Sequence, residues 1–106
     1  MKVIRTTVVK PRLGSEREVA GLLKELGSFL ASQPGFIESF ELAADEADGV
    51  HARIGVWASK EDADRAANQI HTIAIRARLH SMSQRSDERL LGVVSERHAR
   101  ETVSVN

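Results

Sequence analysis

Residues 50–71 read VHARIGVWASKEDADRAANQIH, and the period of the pattern changes partway along them. From Val50 to Ala58 successive residues alternate in character, as in a strand whose side chains point to opposite faces. From about Lys60 the small apolar residues recur every three or four positions, the spacing of a helix, and this continues to Met82. Ser59 followed three residues later by Asp62 is a helix-capping signature and places the junction. Trp57, the chain's one tryptophan in the absence of any tyrosine, stands just before that junction. The segment therefore reads as a strand feeding directly into a helix.

The flanking sequence extends this unit in both directions. VIRTTVVK (3–10) is rich in β-branched residues and stops at Pro11, which marks a first strand. Ser15 and Glu18 have capping-box spacing. Val19, Leu22, Leu23, Leu26, Phe29 and Leu30 then follow at helical intervals, and Gln33-Pro34-Gly35 ends that helix. FIESFEL (36–42) is a second strand. ADEADG (44–49), with Asp48-Gly49 as the turn signal, is a hairpin loop leading to the strand at 50–58. SQRSDE (83–88) reads as a polar loop, and LLGVVSERHARETVSV (90–105) as a long last strand. The order β-α-β-β-α-β predicts a ferredoxin-like α+β fold: a four-stranded antiparallel sheet with both helices on one face.

A chain of 106 residues makes one domain, spanning 1–106, and leaves enough wet surface that association is a common way to bury more. Fifteen basic and fifteen acidic residues cancel, which argues against a nucleic acid or an anionic membrane as partner. The absence of cysteine excludes disulfides, zinc thiolate sites and thiol catalysis. No apolar leader or membrane-length apolar run is present, so the expected location is the cytoplasm. The four histidines lack metal spacing, and His71 and His80, nine apart, fall on opposite helix faces. No nucleophile-elbow, Walker or Rossmann signature occurs.

The sheet's two faces differ in content. In the third strand Val50, Ala52, Ile54 and Val56 form one set, read as the helix-packed face; His51, Arg53, Gly55 and Trp57 form the other, read as uncovered. In the first strand Val3, Arg5, Thr7 and Val9 alternate with Lys2, Ile4, Thr6 and Val8. A sheet face without cover that carries a tryptophan and mixed residues meets a partner or a ligand. The long last strand points to a second copy of the chain.

Three features together carry a family resemblance: QPGF before the second strand, GVWASKEDADRAANQIH across the third strand and helix, and the β-α-β-β-α-β order. In these the chain resembles the antibiotic-biosynthesis-monooxygenase family of dimeric α+β barrel proteins, over nearly its whole length. The resemblance implies a homodimer formed through the uncovered sheet faces, clasped by the C-terminal strand. It also implies a pocket between sheet and helices or within the barrel. Enzymes of the family oxidise polycyclic phenols or quinols with dioxygen and no metal or flavin, so no cofactor is expected. The implied activity is a cofactor-independent oxidoreductase acting on a small aromatic or enolisable substrate.

Residue by residue, Trp57 matches the family's strand tryptophan, and Arg53 stands where the phenol-oxidising branch has an asparagine four residues earlier. Residues four apart on a strand share a face, so Arg53 and Trp57 lie together. On this reading Trp57 orients the ring, Arg53 stabilises the anion, and His71 or Thr7 handles the proton, with Arg5, His51 and Ile75 beside the substrate. Each role has a plain alternative: interface packing for Trp57, a cross-strand ion pair with Glu38 or Glu41 for Arg53, and a partly buried helix position for His71. The helix pattern gives a stripe of Ala63, Ala66, Ala67, Ile70, Ala74 and Ala77, with an exposed shoulder of Ile75, Leu79 and Met82. Two further functions stay open: a non-catalytic small-molecule-binding or structural dimer, and haem binding or degradation. For haem the resemblance asks for a first-strand asparagine, where Thr7 stands, and a helical histidine, where Ala66 and Ala67 stand with His71 a turn further on.

Overall fold

The computed structural model describes residues 1–44, 49–95 and 100. The elements are β1 (Val3–Pro11), α1 (Glu16–Leu30), β2 (Phe36–Ala43), β3 (His51–Trp57), α2 (Lys60–Ala67), α3 (Ile70–Ser81) and β4 (Ser83–Gly92). The four strands form one antiparallel sheet in the order β2-β3-β1-β4. This is the ferredoxin-like arrangement, with its second helix in two pieces. The expected Asp48 of the hairpin turn, His98 and the residues after Ser95 other than Arg100 lie outside the described residues.

The Ser59 cap is realised: its hydroxyl accepts from the Asp62 N–H at 3.1 Å and donates to the Asp62 carboxylate at 2.9 Å. Ser15 is also an N-cap, but its side chain makes no capping bond; Glu16 instead accepts from the Gly14 N–H at 3.0 Å. The expected single helix from Lys60 to Met82 breaks at Asn68-Gln69. Asn68 turns its amide back onto the Asp64 carbonyl at 2.8 Å, and Gln69, in extended conformation, starts α3 afresh. The break rephases the helix. Ala63 and Ala66 remain buried, but in α3 the inward face is Thr72, Ile75 and Leu79, while Ile70 is 86% exposed. The predicted shoulder of Ile75 and Leu79 is thus core.

The core lies between the sheet and the helices. It holds Val3 and Val9 from β1, Val19, Leu22, Leu23, Leu26 and Leu30 from α1, Trp57 from β3, and Ala63, Ala66, Ile75 and Leu79 from the second helical layer. This corrects the expected sidedness of β3. Arg53, Gly55 and Trp57 face the helices and are buried; Ala52, Ile54 and Val56 face the open side. Alternation separates two sets without saying which is inside. Burying an indole, which removes roughly 150–250 Å² from water, outweighs burying one more valine. Trp57 completes the layer by meeting Phe36 edge-on, ring centroids 5.5 Å apart.

The last strand is also corrected. The polar run at 83–88 is strand, paired in register with Val9, Val8 and Thr7, and β4 ends at Gly92 after ten residues. Its polar side chains are tolerated because this edge strand is exposed along most of its length. The open sheet face carries half-exposed apolar side chains: Val8, Phe40, Leu42 and Leu91. Among the described residues no helix is long and apolar enough to cross a membrane.

Candidate functional site

Two chambers lie between the sheet and the helices. The inner one is walled by Arg5, Thr7, Arg53, Trp57 and Glu88 from the strands and roofed by Leu26, Leu30, Ala63, Ala67, Thr72 and Arg76 from the helices. Its volume is about 10 Å³, the space of one water molecule. The outer chamber runs between α3 and the β1–β4 edge. It has a volume of about 420 Å³ and is lined by Thr7, Val9, Ser86 and Glu88 below and Ile73, Arg76, Ala77, Leu79 and His80 above. That is the size of an ordinary small-molecule site. Thr7, Arg76 and Glu88 line both chambers.

The chemistry of the inner chamber follows from β3. Residues 53, 55 and 57 share the helix-facing side, and Gly55 leaves the middle position open. A Cβ there would stand 2.9 Å from Arg53 Nη1 and 3.3 Å from Trp57 Nε1. Glycine therefore leaves room over the strand for both the guanidinium and the indole N–H. Both side chains are 1% exposed. Among the described residues Arg53 Nε and Nη2, Trp57 Nε1 and Arg5 Nε have no hydrogen-bond partner. All four are donors, and neither arginine nor tryptophan offers an acceptor. Buried donors left unpaired are costly, as is a buried charge.

Burial pushes the Arg53 pKa down, and the charge of Glu41 opposes this. Glu41 is the direct cross-strand partner of Arg53 on β2, yet the two form no ion pair among the described residues. The Glu41 carboxylate and Arg53 Nε both come up to Gly27 of α1, where a Cβ would overlap the Glu41 carboxylate and stand 3.6 Å from Arg53 Nε. Glu38, the other expected partner, faces the open side opposite Val56. Arg5 is held at its Nη2 by Asp64 at 3.2 Å. The Asp64 carboxyl is kept below the usual carboxylate range, chiefly by the Lys60 ammonium bonded to it at 2.6 Å.

Glu88 stands at the boundary between the chambers. Its Oε1 accepts from the Thr7 hydroxyl at 3.3 Å, and its Oε2 is ion-paired with Arg76. Among the described residues it is the one carboxylate that lines either chamber. Thr72 ties the roof together by donating to the Ala66 carbonyl at 2.8 Å across the α2–α3 break. At the mouth of the outer chamber His80 Nδ1 and Ser86 Oγ lie 3.4 Å apart.

The fold brings together four of the residues expected from the sequence: Arg53, Trp57, Thr7 and Arg5. It does so between sheet and helices, on the side opposite to the one expected for Arg53 and Trp57. The other three stand apart. His71 is on the outside of the α1–α3 seam, 3.6 Å from Glu25 and with its ring tilted against Phe29, centroids 4.5 Å apart. His51 sits at the far end of β3, and Ile75 is core; none of the three lines either chamber. Glu88, Arg76 and Thr72 are the residues that sequence reasoning missed. The signal for Glu88 was the alternation of Ser86, Glu88 and Leu90, masked by the polarity of a stretch taken as loop. Arg76 lies one turn beyond Thr72 on the same side of α3.

The haem-degrading arrangement does not fit this site. Ala67, at an expected ligand position, is part of the roof of a chamber of about 10 Å³. His71 is turned to Glu25 and Phe29 instead.

No protein-family model matches the sequence, and no curated protein does. The likeness emerges in three dimensions. SnoaB, a cofactor-independent oxygenase from Streptomyces nogalater, superposes with a TM-score of 0.76 at 24% identity, covering 95% of this chain and 95% of its own. An asparagine-to-alanine variant of SnoaB gives 0.80 at 22% identity, over 90% and 95% of the two chains. Rv0793 from Mycobacterium tuberculosis gives 0.82 at 15% identity, over 91% of this chain and 98% of its own. A structure named as an antibiotic biosynthesis monooxygenase gives 0.78 at 13% identity, over 88% and 99%. The chain thus has the ferredoxin-like α+β fold of SnoaB and of the antibiotic biosynthesis monooxygenases.

Proposed function

We propose that the protein is an oxygenase that oxidises a small aromatic or enolisable molecule with dioxygen and no prosthetic group. The observation that carries this reading is the buried Arg53 guanidinium and Trp57 N–H, without an acceptor, at an inner chamber that shares Thr7, Arg76 and Glu88 with one large enough for an aromatic ring. Donors fixed in a dry site stabilise negative charge that develops during reaction. The fold shared with a cofactor-independent oxygenase supports it.

In this scheme the ring lies in the outer chamber. Glu88, with Thr7 bonded to it, accepts the acidic proton of the substrate, and His71 has no part. The resulting anion reduces dioxygen. In the net reaction one oxygen atom replaces two hydrogens on carbon as a carbonyl, and the other leaves with those hydrogens as water. Arg53 compensates the negative charge throughout. The test is dioxygen uptake over a panel of naphthols, anthrones and hydroquinones. At least one is expected to be consumed with one dioxygen per product. Glu88→Gln is expected to lower kcat by about 10²-fold or more, the scale of general base catalysis. No uptake with any member ends the oxygenase reading.

A second reading, non-catalytic binding of a small molecule, is favoured by one observation: Glu88, the only carboxylate at the chambers among the described residues, is already engaged by Arg76. It predicts ligand binding in the same panel with no dioxygen consumed.

We also propose a homodimer through the open sheet face. Phe40 is 53% and Leu91 52% exposed there, on a face that also carries Val8 and Leu42. A contiguous apolar surface of this kind marks an interaction site. Light scattering is expected to give twice the chain mass, and Phe40→Arg to give the monomer. An unchanged mass in that variant would place the interface elsewhere.

A further inference from the structure

The polar side chains of the outer chamber fall at two ends. At the inner end Thr7 donates to Glu88, and Arg76 is ion-paired with it. At the mouth His80 faces Ser86, with Nδ1 3.4 Å from Oγ. Between the ends the roof carries Ile73 and Ala77, and the floor Val9. We propose that the chamber recognises a hydroxyarene by both edges: its hydroxyl meets Glu88, and a hydrogen-bond acceptor on the opposite edge is held by the His80–Ser86 pair. This rests on the outer chamber being the place of the ring.

The interval between the two ends follows from the elements that carry them. Ser86 and Glu88 stand two apart on β4, opposite Val9 and Thr7, and so share the chamber face. Two residues of strand rise about 6.7 Å. Arg76 and His80 stand four apart on α3, on one face of the helix. Four residues of helix rise about 6 Å. Floor and roof therefore repeat their polar contacts at nearly the same interval: Arg76 over Glu88, then His80 over Ser86. That interval suits one aromatic ring with a substituent on each of two opposite edges. Ala77, which has no side chain beyond Cβ, keeps the roof between the two contacts thin.

The two ends differ in what they offer. Glu88 is an acceptor, and its two oxygens keep lone pairs beyond those used by Thr7 and Arg76. The mouth is a donor. If the Ser86 hydroxyl donates to His80 Nδ1, the neutral imidazole carries its proton on Nε2; if Nδ1–H donates to Ser86, the hydroxyl hydrogen is free. In either tautomer one N–H or O–H remains without a partner among the described residues, and an ether, ester or carbonyl oxygen accepts it. The two ends therefore fix which edge of the ring meets the carboxylate. In the oxygenase reading His80 and Ser86 are specificity residues that decide which ring carbon is oxidised.

The probes are 4-methoxy-1-naphthol and 4-ethyl-1-naphthol, which have nearly the same shape and differ in one acceptor oxygen. Calorimetric titration under nitrogen keeps either from being oxidised. The native protein is expected to bind the methoxy compound about 5-fold more tightly, the effect of one net hydrogen bond. The double variant His80→Ala, Ser86→Ala is expected to bind both alike. A crystal soaked with the methoxy compound is expected to show its ether oxygen within hydrogen-bond distance of His80 or Ser86, which decides the matter even if the variant does not fold. Equal binding by the native protein, a preference that survives in the double variant, or an ether oxygen turned away from both side chains overturns the proposal. Binding of neither compound overturns it together with the outer chamber as the place of the ring. A methoxy preference lost in the variant supports recognition by both edges even where no member of the phenol panel takes up dioxygen, and the oxygenase reading alone then falls.

Discussion

Arg53→Met is expected to lower the rate of substrate oxidation by about 10²–10³-fold, the usual effect of removing one preorganised donor at a developing anion. The same substitution is expected to stabilise the folded protein, because it removes a buried charge whose Nε and Nη2 have no partner. The two effects have one cause. Arg53 is 1% exposed, its Nε and Nη2 lack partners, and burial disfavours its charged form. Folding therefore has to desolvate the guanidinium without an ion pair in return. Methionine fills the space of the stem and needs no partner. Oxygen-uptake kinetics give the first effect and urea unfolding the second. A purely structural arginine would show the reverse: activity in proportion to folded protein, and lower stability. Arg53→Lys keeps the charge and loses the fork geometry, and it is expected to recover only part of the rate. Loss of function coupled to a gain in stability is the trade-off expected of a strained functional residue.

Gly35→Ala is the substitution with the largest expected effect on stability. Gly35 closes the turn from α1 into β2 at a φ of +84°, where an L-residue is strained. Space is short as well, because a Cβ at this position would overlap the Asp62 carboxylate. That carboxylate belongs to the Ser59 cap of α2, and the Gly35 carbonyl accepts from the Ala58 N–H at 2.8 Å. The alanine thus strains its own backbone and displaces a helix cap. Together these are expected to cost about 2–4 kcal/mol, summing roughly 1–2 for the left-handed conformation and roughly 1–2 for the cap. Urea midpoints measure the loss. The cycle with Asp62→Ala resolves it, because the double variant keeps the backbone strain and loses the overlap. A loss under about 0.5 kcal/mol, the range of ordinary surface changes, would show that the turn relaxes freely.

The elements were largely legible in the sequence because their signals are local. The β-branched run of β1, the helical spacing of Val19 through Leu30, and the Ser59–Asp62 cap each depend on residues within a few positions. Where the local signal was ambiguous the boundaries moved. The alanine-rich spacing continues through Asn68-Gln69, so the break between α2 and α3 left no mark in the periodicity. Polar residues 83–88 resembled a loop, although they pair with the second half of β1, from Thr7 to Pro11.

The candidate site was legible only in part, and the reason is sidedness. A period of two assigns Arg53, Gly55 and Trp57 to one face whatever the rest of the molecule does. Which face receives the helices depends on packing between elements far apart in the sequence: Val3 beside Trp57, Phe36 against its ring, and Leu26, Leu30 and Ala63 above. The chain's own pattern thus settled the strand–helix order, the cap at Ser59 and the pairing of Arg53 with Trp57. The tertiary structure decided that this pair lies under the helices, that Glu88 and Arg76 join it, and that His71 does not. Period and capping are properties of neighbouring residues, whereas the interior of a chamber is built from residues up to 81 positions apart, as Thr7 and Glu88 are.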